Sequence, residues 1–310
     1  MFFEGSEKKI EIVIRPGVPS LRTLGQDYWK ALVHTARAEI LSVIHNEQCD
    51  AYLLSESSLF VWDNRCLMLT CGTTTLVDAA LKFIGDQGPS QIDFFSYQRK
   101  NEYRPNLQLS TVTEDLERLR ALLPMKACQF GYLDSHHHFL FSMAHPDYQP
   151  EIDDHTSELL MYHISGPAAD ALCCSCQELS QIRQLLDLEK LLPGFELDDF
   201  LFDPCGYSVN AIKGHQYATI HITPQQSSSY VSFETNIDLG LEGAWIVEAL
   251  LKRLQPRSWD TIGFNSSPQT PKRPYYLSIG ECQVRLECGY EVIFSHHQDR
   301  QSQQLPVCWL

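Results

Sequence analysis

The sequence predicts an α+β protein built on antiparallel sheets, and three features point there. The chain opens on a strand pattern, with Ile10, Ile12 and Ile14 alternating with Glu11 and Val13. Strand-like runs at Glu39 to Ile44, Ala51 to Leu54 and Leu59 to Leu69 follow one another with no helix between them. Helical stretches then interrupt the strands irregularly, without the regular strand-helix alternation of a parallel sheet. With 44% hydrophobic residues among 310, the chain has enough apolar material to bury a proper core.

In order, the first helix is marked by Trp29, Leu32, Val33 and Ala36 at helical spacing. Thr75 to Ile84 reads as a helix stopped by Gly85. After the polar stretch Asn101 to Gln108, Thr113 is the expected cap of a helix carrying Leu116, Leu119 and Leu123, which Pro124 ends. Strands resume near Phe130. The second half reads as helices near Glu158 to His163 and Leu179 to Leu191, then strands at Gly206 to Lys213, Tyr217 to Thr223 and Tyr230 to Glu234. A helix at Glu242 to Leu254 and a strand pair at Gln283 to Glu287 and Tyr290 to Ser295 complete it. Pro146 to Asp154 is the one candidate boundary between halves, and no sequence repeat is strong enough to prove a duplication.

The net charge of -15 argues against nucleic acid, which needs clustered Lys and Arg. An acidic surface suits cationic ligands instead. Met1 to Gly5 shows no basic segment followed by an apolar stretch, and no run approaches a membrane span, so a cytoplasmic protein is expected. Eleven cysteines at irregular spacing read as reduced thiols. Neither Cys173-Cys174-Ser175-Cys176 nor His136-His137-His138 is spaced to converge on one ion, and the histidines are expected to alternate along a strand.

Four segments draw attention together. Singly, each has an ordinary explanation: Leu54-Ser55-Glu56-Ser57-Ser58 as a polar turn, Cys71-Gly72-Thr73-Thr74 as a strand-to-helix turn, Phe202 to Ser208 as a loop entering a strand, and His221 as a half-buried strand histidine. In this order, with Phe2-Phe3-Glu4-Gly5-Ser6-Glu7 before them and Tyr230-Val231-Ser232-Phe233-Glu234-Thr235-Asn236 after, they resemble the eukaryotic S-adenosylmethionine decarboxylase family.

That resemblance implies a four-layer αββα sandwich, two antiparallel sheets packed between helices as one unit over residues 1–310. It implies a proenzyme that cuts itself between Glu56 and Ser57 into chains 1–56 and 57–310, leaving a pyruvoyl group made from Ser57 and using neither metal nor pyridoxal phosphate. The chemistry requires such a group: decarboxylating an α-amino acid leaves a carbanion that no ordinary side chain can delocalise, whereas a ketone joined to the substrate amine as a Schiff base can. By the same resemblance, Ser208 and His221 serve the processing, His221 as the base at Cα of residue 57. Cys71 matches the proton donor, with a thiol expected to titrate near neutrality. Phe3 and Phe202 match rings that sandwich the adenine, Glu4 and Glu7 match acidic active-site positions, and Glu56 doubles as a substrate contact.

The sequence also departs from the family pattern. Gln225 stands where the family has a glutamate holding the ribose hydroxyls, which removes a charge-assisted acceptor. Glu11, Asp154, Glu158 and Glu234 match a putrescine site of animal relatives, but Leu69 replaces a lysine of that network. Four carboxylates without that cation need protons, a diamine or another base. The segment after Asn101 also looks shorter than in animal relatives. The expected activity is decarboxylation of S-adenosylmethionine for spermidine and spermine synthesis. A regulatory paralogue that binds an active partner, or a pyruvoyl decarboxylase with another substrate, are the alternatives. A homodimer of processed protomers and a monomer are both open.

Overall fold

The computed structural model describes residues 7–300 except 101, 103, 134, 135, 175–177, 226, 227 and 241. The first half contains β1 (Glu7–Ile14), α1 (Gln26–Thr35), β2 (Ile40–His45), β3 (Asp50–Leu54), β4 (Ser57–Val61), β5 (Arg65–Cys71), α2 (Leu76–Gln87), β6 (Ile92–Lys100), α3 (Val112–Arg120), β7 (Met125–Phe130) and β8 (His138–Met143). The second contains β9 (Thr156–Tyr162), α4 (Gly166–Leu172), α5 (Leu179–Leu186), α6 (Leu188–Leu191), β10 (Glu196–Leu201), β11 (Tyr207–Lys213), β12 (Gln216–Thr223), β13 (Tyr230–Thr235), α7 (Ala244–Leu254), β14 (Ser258–Phe264), β15 (Tyr276–Arg285) and β16 (Glu291–Asp299).

Each half forms one eight-stranded antiparallel sheet, ordered β2-β3-β4-β5-β1-β6-β8-β7 and β10-β11-β12-β13-β9-β14-β16-β15. Each strand of the second sheet follows its counterpart in the first by eight. The halves therefore share a topology that no sequence repeat revealed. The expected αββα layering holds: Ile10, Ile12 and Ile14 of β1 pack with Trp29 and Phe83 under the first helices, and Leu159 and Met161 of β9 pack with Leu250 and Trp259 under the second. Between the sheets lie Val13, Phe94 and Leu140 from one side and Leu160, Tyr162 and Ile262 from the other. By strand alternation, Glu7, Lys9 and Glu11 of β1 share the face that looks toward the second sheet.

Several elements differ from expectation, each for a physical reason. Residues 158–163 are not helical: 158–162 belong to β9, the centre of the second sheet, and His163 follows its end. Both faces of that strand are buried, so its apolar run shows no strand period. The run Leu59 to Leu69 is two strands joined by a turn at 62–64. Helix α2 passes through Gly85 and ends at Gly88, whose φ of +88° the missing Cβ permits. Thr111, not Thr113, caps α3, in a reciprocal box with Glu114. The stretch Leu179 to Leu191 is broken at Asp187, which adopts a left-handed conformation. Strands β6, β10 and β14 carried no distinct signal, and of the three neighbouring histidines only His138 enters a strand. No helix among the described residues is long and apolar enough to cross a membrane.

Candidate active site

The hairpin of β3 and β4 pairs Leu54 with Ser57, leaving Ser55 and Glu56 as a two-residue turn. The Ser55 backbone N–H donates to the Glu39 carbonyl at 2.8 Å and its hydroxyl accepts from the Glu39 N–H at 3.0 Å, pinning the turn. Immediately after it, Ser57 adopts φ +149°, a region that L residues rarely occupy. The Glu56 carbonyl accepts the Cys71 backbone N–H at 2.7 Å, so the peptide between Glu56 and Ser57 is strained on one side and polarised on the other. The Ser57 hydroxyl is buried with no nitrogen or oxygen partner among the described residues.

The second sheet closes over this hairpin. Ser208 on β11 stands opposite His221 on β12, with 2.7 Å between its hydroxyl and Nδ1. His221 Nε2 lies 2.8 Å from the Thr219 hydroxyl and 3.0 Å from that of Ser58, which crosses from the first sheet and donates to Asn210 Oδ1 at 2.5 Å. Gly206, at φ +138°, turns the loop so that the Phe202 N–H donates to its carbonyl at 2.9 Å. A cavity of about 350 Å³ is lined by Glu56, Ser57, Cys71, Phe202, Ser208, His221 and Gln225. Seven of the residues singled out in the sequence thus meet at one place. Glu7 stands opposite Cys71 in the β1–β5 pair, while Phe3 and Glu4 lie outside the described residues.

Burial sets the protonation states. It pushes the Cys71 thiol well above its usual range, with Glu7 and Glu56 adding to the shift, so the thiol holds its proton at neutral pH, contrary to the near-neutral titration expected. Burial alone raises the Glu56 carboxyl to about 7. The His221 imidazole is lowered to about 4 by burial, so it is neutral under working conditions.

The carboxylates of the expected diamine site meet cations built into the chain. Lys9 lies directly opposite Leu69 and supplies the charge that residue lacks, bridging Glu158 at 3.0 Å and Glu234 at 2.9 Å. Arg65 bridges Glu11 at 3.1 Å and Asp154 at 2.6 Å. Lys100 joins Glu7, at 2.7 Å, to Glu158. Burial disfavours the Lys9 charge, but Glu158 and Glu234 outweigh it and raise its pKa. The four carboxylates therefore fall into two pairs, each with its own cation. Lys8 donates to the carbonyls of Gly72 at 3.3 Å and Thr74 at 3.1 Å, steadying the turn after Cys71. Sequence reasoning passed over Lys8, Lys9, Arg65 and Lys100, and gave no role of their own to Ser58, Asn210 and Thr219, which stand within or beside the family motifs. For Lys9 a signal existed: a lysine on the same face as Glu7 and Glu11 in an otherwise buried strand.

The family model of adenosylmethionine decarboxylase matches residues 1–306. A Trypanosoma cruzi S-adenosylmethionine decarboxylase proenzyme is 35% identical over 76% of this chain and 68% of its own length. A Dictyostelium discoideum proenzyme of the same name is 33% identical over 96% of this chain and 86% of its own. The solved structure of a Trypanosoma brucei AdoMetDC-delta26 monomer superposes with a TM-score of 0.61 at 25% identity, over 78% of this chain and 99% of that one. With a matching family model along nearly its whole length, relatives at this level and the same sandwich architecture, the chain belongs to the adenosylmethionine decarboxylase family.

Proposed function

We propose that this chain is a proenzyme that cuts itself between Glu56 and Ser57 and then decarboxylates S-adenosylmethionine, supplying the aminopropyl donor for spermidine and spermine. The observation that carries this reading is the strained, polarised Glu56–Ser57 peptide facing a cavity shared with Cys71, Phe202, Ser208 and His221.

In the first step the Ser57 hydroxyl adds to the Glu56 carbonyl carbon. The Cys71 N–H, already 2.7 Å from that oxygen, stabilises the negative charge that develops on it. Collapse breaks the C–N bond, leaving Glu56 joined to Ser57 by an ester and a free amine on residue 57. Neutral His221 then takes the Cα proton of residue 57, and Glu56 leaves as a carboxylate. Ser208 and the Ser58, Thr219 and Asn210 group hold both imidazole nitrogens, which fixes the ring. Water replaces the residual amine, releasing ammonia and leaving a ketone.

The residues fit such a group, because Ser57 lies at the cavity wall rather than deep in the core. A pyruvoyl group there supplies the electron sink for decarboxylation. Phe202 offers a flat face for the adenine, and Gln225 a neutral amide for the ribose. The Cys71 thiol, kept protonated by burial, returns a proton to the substrate carbon in this reading, which its place in the cavity wall supports. Release of labelled carbon dioxide from carboxyl-labelled S-adenosylmethionine tests the reading. Wild-type protein should turn over, Ser57→Ala should not, and Cys71→Ala should still be cleaved but lose about 100-fold or more in rate. Turnover by Ser57→Ala at the wild-type rate would remove Ser57 from the mechanism.

A further inference from the structure

Away from the cavity, three side chains that the decarboxylation does not use converge between the sheets. Asp260 on β14 is fully buried, and its two carboxylate oxygens each face an imidazole. His296 Nδ1, opposite it on β16, lies 2.7 Å from Oδ1. His136 Nδ1, from the connection between β7 and β8 of the first sheet, lies 3.3 Å from Oδ2. The two rings pack with centroids 3.8 Å apart. Tyr162 donates its hydroxyl to Asp260 Oδ2 at 3.0 Å and fixes the carboxylate.

We propose that His136, Asp260 and His296 bind one divalent transition-metal ion, of the zinc, cobalt or nickel kind, which fastens the β7–β8 connection of the first sheet to the second sheet. Their ligand atoms all lie within 4.8 Å of one another. Bonds of about 2.0–2.1 Å to a tetrahedral ion put ligand atoms roughly 3.3 Å apart. His136 Nδ1 stands at that separation from Oδ2, whereas His296 Nδ1 is 2.7 Å from the other oxygen, so a tetrahedral ion needs the His296 ring to shift toward Oδ2, within a cluster whose ligand atoms already lie inside 4.8 Å. Two imidazoles and one carboxylate suit borderline ions, whereas magnesium and calcium prefer oxygen throughout. In the metal-free cluster each Nδ1–H can donate to the carboxylate; on binding, Nδ1 becomes the ligand atom and each neutral ring carries its proton on Nε2. With side-chain exposures of 18% for His136 and 16% for His296, the histidine side faces solvent and leaves room for a water as fourth ligand. The neighbouring histidines take no part, since His137 packs on Phe139 and His138 is buried against Phe130 and Phe294.

The test uses the full chain after chelator treatment, titrated with cobalt(II) and then zinc(II), beside a His136→Gln/His296→Gln double variant. The wild type should take up one more ion per chain than the variant, with visible cobalt bands that zinc abolishes. Zinc should also raise the melting temperature of the wild type alone. Subtracting the variant removes ions held by the cysteines or other histidines. Equal ion counts and equal thermal responses in the two proteins would overturn the site. Should the double variant fail to fold, His136→Gln alone, altered in a connection outside the strands, must weaken binding by roughly 100-fold, since losing a ligand costs at least as much as losing an outer contact. Unchanged affinity there would overturn the proposal equally.

Discussion

Ser57 holds φ +149° with a side chain, where only glycine is comfortable, and such a conformation costs roughly 1–3 kcal/mol. Of two variants that lack the nucleophile, Ser57→Gly should therefore be more stable than Ser57→Ala by about 1 kcal/mol in thermal unfolding. Equal stabilities would show that the turn is not strained. At Gln225 a neutral amide gives about 1 kcal/mol less than a carboxylate bonded to hydroxyls, so Gln225→Glu should lower KM roughly fivefold with little change in kcat. His138 is fully buried, with neither ring nitrogen partnered among the described residues. Burial, with Lys100 beside it, holds its pKa at about 3, below the usual 6.5. The unfolded chain thus binds a proton at pH 5 that the folded chain refuses, and this group's contribution falls as pH drops through 6.5. His138→Phe should be more stable than wild type, and the margin should widen by ~2 kcal/mol between pH 8 and pH 5 in denaturant titrations. Seven of the candidate residues that share one cavity could be picked out beforehand because their motifs occur in family order. The cluster that Ser58, Asn210 and Thr219 form around His221 could not, because hydroxyls and amides on strands show no partner until two sheets face each other.

Strand β1 links the site to the buried charges, since one face carries Glu7 opposite Cys71 and Lys9 opposite Leu69. With Lys9 and Arg65 already paired to the four carboxylates, added putrescine should leave wild-type turnover unchanged. Lys9→Ala should lose about 3–5 kcal/mol of stability and gain a response to the diamine. Strong activation of the wild type by putrescine would contradict this assignment. On α3, Thr111→Ala should cost about 1 kcal/mol while Thr113→Ala costs little, which thermal unfolding can separate. These two threonines mark the limits of local reading. Both precede the same apolar stripe, and only the side chain of Glu114 reaching back to the Thr111 N–H decides between them. β9 was misread for a different reason: a strand covered on both faces loses its alternation, and its place between β13 and β14 depends on residues some 70 and 100 positions away.

Across the whole molecule the two halves repeat one topology but contribute unlike parts to the site. The first sheet brings the Ser55–Glu56 turn and Cys71, and the second half brings Ser208 and His221 on its sheet and Phe202 just after β10. The layers were foreseeable from the family motifs. The repeated strand order was not, because topology is kept by burial pattern and connection length rather than by matching residues. Under the proposed self-cleavage, a site shared between sheets means that the turn reacts only once both halves have folded together. Intact mass spectrometry of freshly purified protein, with Ser57→Ala alongside, tests this account most directly. Two chains divided between Glu56 and Ser57, the larger one carrying a pyruvoyl N-terminus, with a single uncut chain from the variant, are the predicted result. A wild-type chain that stays whole under native conditions would contradict it.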